Sequence, residues 1–134
     1  MWLFDTVALS ESAKARMNPG FADWAETLRA SDVHTSVLCL GEIRRGVVMT
    51  PGALKQAELA RWLEVDLPQR LGKRVLPVDG AVAQAWGRLG ARGGGASAID
   101  ALIGATALAH GLSVVTRNVK DFDGLGVAVV NPWS

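Results

Sequence analysis

Five acidic residues fall where an open α/β sheet could gather them: Asp5, Glu42, Asp100, Asp121 and Asp123. Asp5 ends the apolar run Trp2-Leu3-Phe4, and Asp121 and Asp123 follow the β-branched run that ends at Thr116. Glu42 and Asp100 lie in helix-compatible stretches, each expected near its helix start. Asp100 is conspicuous as the only charged residue between Ala96 and Ala109, among small and apolar side chains. An unpaired carboxylate is costly to bury, so such a residue caps, pairs or binds something. Each acid also has a plain structural role open to it. Asp100 could face the helix dipole, Asp5 could cap a turn, Glu42 could be a solvated helix charge, and Asp121 could shape the turn at Phe122. Those roles suffice one at a time but do not explain why carboxylates recur at one sheet edge. Like charges a few ångströms apart raise one another's pKa unless a cation neutralises them. An all-oxygen donor set suits Mg²⁺, or Mn²⁺ in its place, better than zinc.

Other chemistries find no support in the spacing. No GxxxxGK[ST] loop or GxGxxG turn follows a strand, and there is no G-x-S-x-G elbow. An aspartyl-phosphate phosphatase would carry a second aspartate two positions after Asp5, where Val7 stands, and a phospho-receiver would carry paired acids there. His34 and His110 lack metal-ligand spacing, and Cys39, without a partnered histidine, reads as a core residue.

The elements that must position these acids alternate between strand and helix. Trp2–Phe4 suits a buried strand. A helix-compatible segment begins at Ser10, and Asn18-Pro19 caps a helix bearing Phe21, Trp24 and Leu28. Val33–Val37 reads as the second strand and Leu38–Met49 as a helix. Thr50-Pro51 opens a longer helix through Leu59, Trp62 and Leu63 that ends near Gly72. Arg74–Val78 is a brief strand, Asp79 caps a helix over Ala81–Arg92, and Gly93-Gly94-Gly95 is a flexible break. Ser97–His110 is a helix stopped by Gly111; strands follow at Val114–Thr116 and Val127–Val130. The alternation predicts one α/β domain over residues 1–134, a three-layer sandwich whose mostly parallel sheet has four to five strands flanked by helices.

The chain has 134 residues, 49% hydrophobic and 20% charged, enough for one domain with a core and too apolar for a disordered tail. No apolar run reaches the roughly 20 residues a membrane helix needs. A lone cysteine forms no internal disulfide, which fits a reducing cytoplasm. The net charge of +1 averages an acidic first half and a basic second half, with no polybasic tail.

Four blocks in order carry a family resemblance: Asp5-Thr6 with Leu9-Ser10-Glu11; Gly41-Glu42-Ile43-Arg44-Arg45-Gly46; Ala98-Ile99-Asp100-Ala101-Leu102-Ile103 with Ala105-Thr106-Ala107; and Thr116-Arg117-Asn118-Val119-Lys120-Asp121-Phe122, followed by Asn131-Pro132-Trp133. Together the sequence resembles the PIN-domain ribonucleases of the VapC toxin type over nearly its whole length. The resemblance implies a Mg²⁺-dependent endoribonuclease, the toxin of a type II toxin–antitoxin pair, that leaves 5′-phosphate and 3′-hydroxyl ends. Asp5, Glu42 and Asp100 match the family's acids, with Asp5 and Asp100 holding the metal. The fourth acidic place falls at Asn118 or is supplied by Asp121. Thr6 and Thr116 match small polar residues of that pocket. The family's asparagine after Asp-Thr is Val7 here, a departure that bears on catalysis.

The expected partners are RNA, a small VapB-like antitoxin whose tail plugs the acidic pocket, and a second copy of the chain; no membrane is involved. An acidic pocket repels RNA, so Arg44, Arg45, Arg117 and Lys120 are the candidate backbone contacts, with a plain solvated face as their alternative. Trp24 and Trp62 read as core by default and otherwise as part of a dimer or antitoxin face. The rival from another class is a catalytically weakened PIN domain that acts mainly as an antitoxin-binding partner, with Val7 as its sequence basis.

Overall fold

Trp2, Leu3 and Phe4 form β1, with Leu3 and Phe4 buried, and β1 becomes the middle of the sheet because both its edges are taken. The computed structural model describes residues 1–90 and 96–134. Its sheet has five strands in the order β3-β2-β1-β4-β5: β1 (Trp2–Phe4), β2 (Val33–Ser36), β3 (Val75–Leu76), β4 (Ser113–Val115) and β5 (Val129–Val130). Every pairing is parallel. The expectation of a mostly parallel sheet of four to five strands therefore resolves to five strands, all parallel. Right-handed crossovers send the helices between β1 and β3 to one face, and those between β3 and β4 to the other. That makes the three layers.

On the first face lie α1 (Thr6–Ser12), α2 (Pro19–Ala25), α3 (Val37–Val48), α4 (Ala53–Arg61) and α5 (Leu67–Leu71). On the other lie α6 (Gly80–Leu89) and α7 (Ala98–His110). The caps explain several starts. Asn18 Oδ1 accepts from Phe21 N (3.2 Å), Asp79 Oδ1 from Val82 N (3.0 Å) and Ser97 Oγ from Asp100 N (3.1 Å). Gly111 ends α7 in the left-handed conformation.

Several boundaries differ from the sequence expectation. α1 begins at Thr6 rather than Ser10, because Asp5 caps it directly. Glu42, expected near a helix start, sits mid-helix as the sixth residue of α3 (Val37–Val48). Thr50-Pro51 caps nothing: Thr50 Oγ1 turns back to donate to the Gly46 carbonyl (2.7 Å), and Gly52, at φ +88°, leads into α4 instead. A π-helical turn over Trp62–Asp66, invisible in the apolar spacing, separates α4 from α5. The outer strands β3 and β5 keep two residues each of their apolar runs, and β4 runs Ser113–Val115 rather than to Thr116. α6 ends at Leu89, short of the expected Arg92; that residue and the Gly93-Gly94-Gly95 break lie outside the described residues.

The core runs along both sheet faces and includes Leu3, Phe4, Phe21, Cys39, Val82, Ile103, Val114 and Val115. Trp24 packs edge-on to Trp2 (ring centroids 5.2 Å apart), taking its default core role, and Trp133 closes over Phe21 at 4.8 Å. A Cβ at Gly104 would meet Leu125 Cδ1 at 2.9 Å, so glycine there lets Leu125 seat against α7. Among the described residues, no helix is long and apolar enough to cross a membrane.

Candidate functional site

The strand order reverses direction between β1 and β4. Ligands of open parallel sheets collect beyond the C-terminal ends of the strands at such a switch point. Asp5 follows β1 and Thr116 follows β4, one on each side of it. The backbone there is fixed by Asp5 N donating to the Val115 carbonyl (3.2 Å) and Thr35 Oγ1 donating to the Phe4 carbonyl (2.8 Å). Asp5 is buried at 7% exposure, and its carboxylate accepts the Ala8 amide (2.9 Å) and a hydrogen bond from Thr116. Burial nonetheless raises its pKa, opposed by those two hydrogen bonds and reinforced by the charges of Asp100 and Glu42.

Asp100 sits in the first turn of α7, where Ser97 holds its backbone. Its pKa is raised as well, by partial burial first, with Ser97 opposing and the charges of Asp121 and Glu42 adding. The first-turn role that the sequence allowed Asp100 and its place in the cluster thus coexist. Glu42 reaches the site from the middle of α3 and accepts a short hydrogen bond from Thr6 Oγ1, 2.5 Å. Asp121 lies on a 3₁₀ turn, Val119–Phe122, beyond β4.

The fold therefore brings Asp5, Glu42, Asp100 and Asp121 into one electrostatic neighbourhood, with Thr6 on Glu42 and Thr116 on Asp5. Asn118 contributes its backbone: its amide donates to Thr116 Oγ1 (3.0 Å), and its side chain makes no cap to the following turn. Of the four basic candidates, Arg44 is engaged in an ion pair with Glu64 on the π-helical turn, whereas Arg45, Arg117 and Lys120 are exposed. Val7 is exposed on α1, and Asp5 draws its hydrogen bonds from Ala8 and Thr116, neither of which depends on position 7.

Among the described residues, no three His, Cys, Asp or Glu side chains are gathered tightly enough to hold a metal ion as they stand. The chemistry of the donor set nevertheless fits a hard cation. It is all oxygen, Asp5 and Asp100 are partly desolvated, and neighbouring carboxylates push the pKa of both upward. Sequence reasoning did not find the Ser97 support of Asp100, although Ser97-x-x-Asp100 is a capping pattern that could have signalled it. It gave Thr35 no role beyond its strand, and nothing local marks its bond to the Phe4 carbonyl.

An all-parallel five-stranded sheet with carboxylates at its switch point defines an α/β protein with a sheet-edge acidic site. The chain belongs to the PIN domain family, whose model matches residues 3–126. It is 33% identical to the toxin FitB of Neisseria gonorrhoeae and 32% identical to the plasmid stability protein StbB of Pseudomonas syringae pv. tomato, each over 99% of both chains. It is 28% identical to a VapC ribonuclease of Sinorhizobium fredii over 99% of this chain and 98% of that one. The crystal structure of FitAcB from Neisseria gonorrhoeae superposes with a TM-score of 0.88 at 34% identity, covering 99% of each chain.

Proposed function

We propose that this chain is the toxin of a two-protein toxin–antitoxin pair and an endoribonuclease whose acidic cluster works with a divalent cation, magnesium or manganese. The observation that carries this reading is the pair of buried or half-buried carboxylates, Asp5 and Asp100, whose protonation equilibria are pushed upward at the switch point of a PIN fold. The VapC ribonuclease and toxin relatives support the substrate class.

Asp5 and Asp100 would hold the cation, with Glu42 and Asp121 closing the ring. The cation supplies Lewis acidity and positive charge against the scissile phosphate. Thr116 and the Ala8 amide aim the Asp5 carboxylate, and Thr6 holds Glu42 where it can take a proton from an attacking water. Arg45, Arg117 and Lys120 draw the phosphate backbone toward a pocket that would otherwise repel it. Hydrolysis in this sense leaves a 5′-phosphate and a 3′-hydroxyl. The partner is an antitoxin-like protein of the kind the family's toxins pair with, and the toxin assembles as a homodimer. Single-domain organisation over 1–134 and a cytoplasmic setting belong to the same reading.

The test is RNA cleavage by purified protein with and without Mg²⁺, beside Asp100→Asn. Cleavage that needs the ion and is lost in Asp100→Asn is expected. No cleavage at any magnesium concentration, together with a stable complex with an antitoxin-like protein, would instead establish the non-catalytic binding domain.

A further inference from the structure

Glu42 stands between two clefts of different character. One, about 520 Å³, passes between α3 and the start of α7 beside Val37, Met49 and Ile99. The other, about 230 Å³, lies between α1, α3 and α4, and its walls include Thr6, Ser10, Gly46, Thr50 and Trp62. The second cleft shares Thr6 and Glu42 with the acidic site and extends to the half-buried Trp62.

We infer that this second cleft is a base-binding subsite, in which Trp62 stacks an unpaired nucleobase of the RNA strand whose phosphate lies at the acidic cluster. The inference rests on the nuclease reading above. A pocket dominated by carboxylates repels the phosphate backbone, so an uncharged source of affinity beside it has a physical purpose. Base–aromatic stacking is such a source, and it tolerates any base because every base has a π-face.

Three features of the cleft fit that use. Trp62 opens the π-helical turn, and this turn is pinned: Leu63 is buried beside it, and Glu64 is ion-paired to Arg44 of α3. The indole is thus carried on a braced backbone, as a stacking platform requires. Gly46 lies in the interior of α3, where glycine is less favourable than alanine, yet a Cβ there would meet nothing within 4 Å. No packing within the described chain calls for glycine at this position, and its bare backbone leaves the cleft open. The polar lining suits a base edge. Thr50 Oγ1 donates its hydrogen bond to the Gly46 carbonyl and so meets a ligand as an acceptor, while Ser10 is exposed with a hydroxyl able to do either.

The test is fluorescence-anisotropy binding of a short labelled single-stranded RNA, and of its duplex form, with divalent ions chelated so that cleavage does not intervene. Wild type is compared with Trp62→Ala, Trp62→Phe and Gly46→Leu, the last of which adds a side chain at a wall position where a Cβ meets nothing within 4 Å. The expected result is a roughly tenfold or greater loss of single-strand affinity in Trp62→Ala and Gly46→Leu. Trp62→Phe should keep most of the binding, and the melting temperature of Gly46→Leu should not fall. Because stacking carries no charge, the dependence of affinity on salt should be the same in Trp62→Ala as in wild type. Duplex binding should not distinguish the variants. Equal single-strand affinity in all four proteins would overturn the subsite and leave the nuclease reading standing. Failure of the wild type to bind single-stranded RNA under these conditions would overturn the subsite, and the magnesium-dependent cleavage assay above decides the nuclease reading separately. If Trp62→Ala does not fold, Gly46→Leu carries the same decision.

Discussion

Asp5 and Glu11 are both buried carboxylates, at 7% and 5% exposure, six residues apart in the chain, yet their environments push them in opposite directions. Glu11 accepts the Asn18 amide (2.9 Å), the Lys14 ammonium (3.0 Å) and the Trp133 indole N–H (3.4 Å), and these hold its pKa below the ordinary glutamate value. Asp5 has the Ala8 amide and Thr116, but burial raises its pKa and the charges of Asp100 and Glu42 add to that rise. One carboxylate finishes the fold: it ties α1 to the start of α2 and to the C-terminal Trp133. The other faces like charges at the sheet edge. A buried acid that the chain satisfies is structural, and one that the chain leaves opposed by its neighbours marks where a ligand belongs.

That contrast can be broken by substitution. The largest effect expected is on catalysis. Asp5→Asn should lower magnesium-dependent RNA cleavage by more than the roughly 10–100-fold typical of residues that merely support a metal ligand. Glu11→Gln should leave the turnover of the folded protein essentially intact. Stability should sort the same pair the other way. Glu11→Gln removes a satisfied buried charge and should lower the melting temperature by about 5 °C, whereas Asp5→Asn in ion-free buffer should raise it by a few degrees. The pH dependence carries opposite signs. Asp5 and Asp100 have raised folded pKa values, so they favour the ion-free fold below the ordinary aspartate pKa and lose that contribution as pH rises through the raised values. Glu11 has a lowered folded pKa, so its contribution is present above the ordinary glutamate pKa and is lost as pH falls through the lowered value. Thermal melts of wild type and Glu11→Gln from strongly acidic pH, below the ordinary carboxylate pKa values, up to neutral pH, without divalent ions, separate the two. The smallest effect is expected of Asn18→Ala, which uncaps α2 and releases the Ser134 contacts to Asn18 Oδ1; it should cost about 1 kcal/mol in denaturant unfolding.

Much of this architecture was legible because it is local. The caps at Asn18 and Asp79 and the stop at Gly111 lie within a few residues of the ends they fix, and the apolar runs of β1 and β4 are continuous in sequence. The acid at the end of β1 and the one in the first turn of α7 were legible for the same reason, whereas Glu42 was expected near a helix start and lies mid-helix. What was missed depends on distant partners. Glu11 looked like part of a polar, helix-compatible stretch because Trp133 lies 122 residues away. The Thr6–Glu42 bond spans 36 residues, and its pairing could not be read from either end. The π-helical turn at Trp62 keeps the apolar spacing of a helix, so periodicity alone does not reveal it. Thr50-Pro51 carried the composition of a cap, but the left-handed Gly52 set the entry to α4.

The most direct test of the central claim is the shift in melting temperature produced by Mg²⁺ or Mn²⁺ in wild type, Glu11→Gln, Asp5→Asn and Asp100→Asn. A cation that relieves the repulsion at the switch point should raise the melting temperature of wild type and Glu11→Gln by similar amounts, and should do little to either aspartate variant. An equal shift in all four proteins, or none in wild type, would contradict the account.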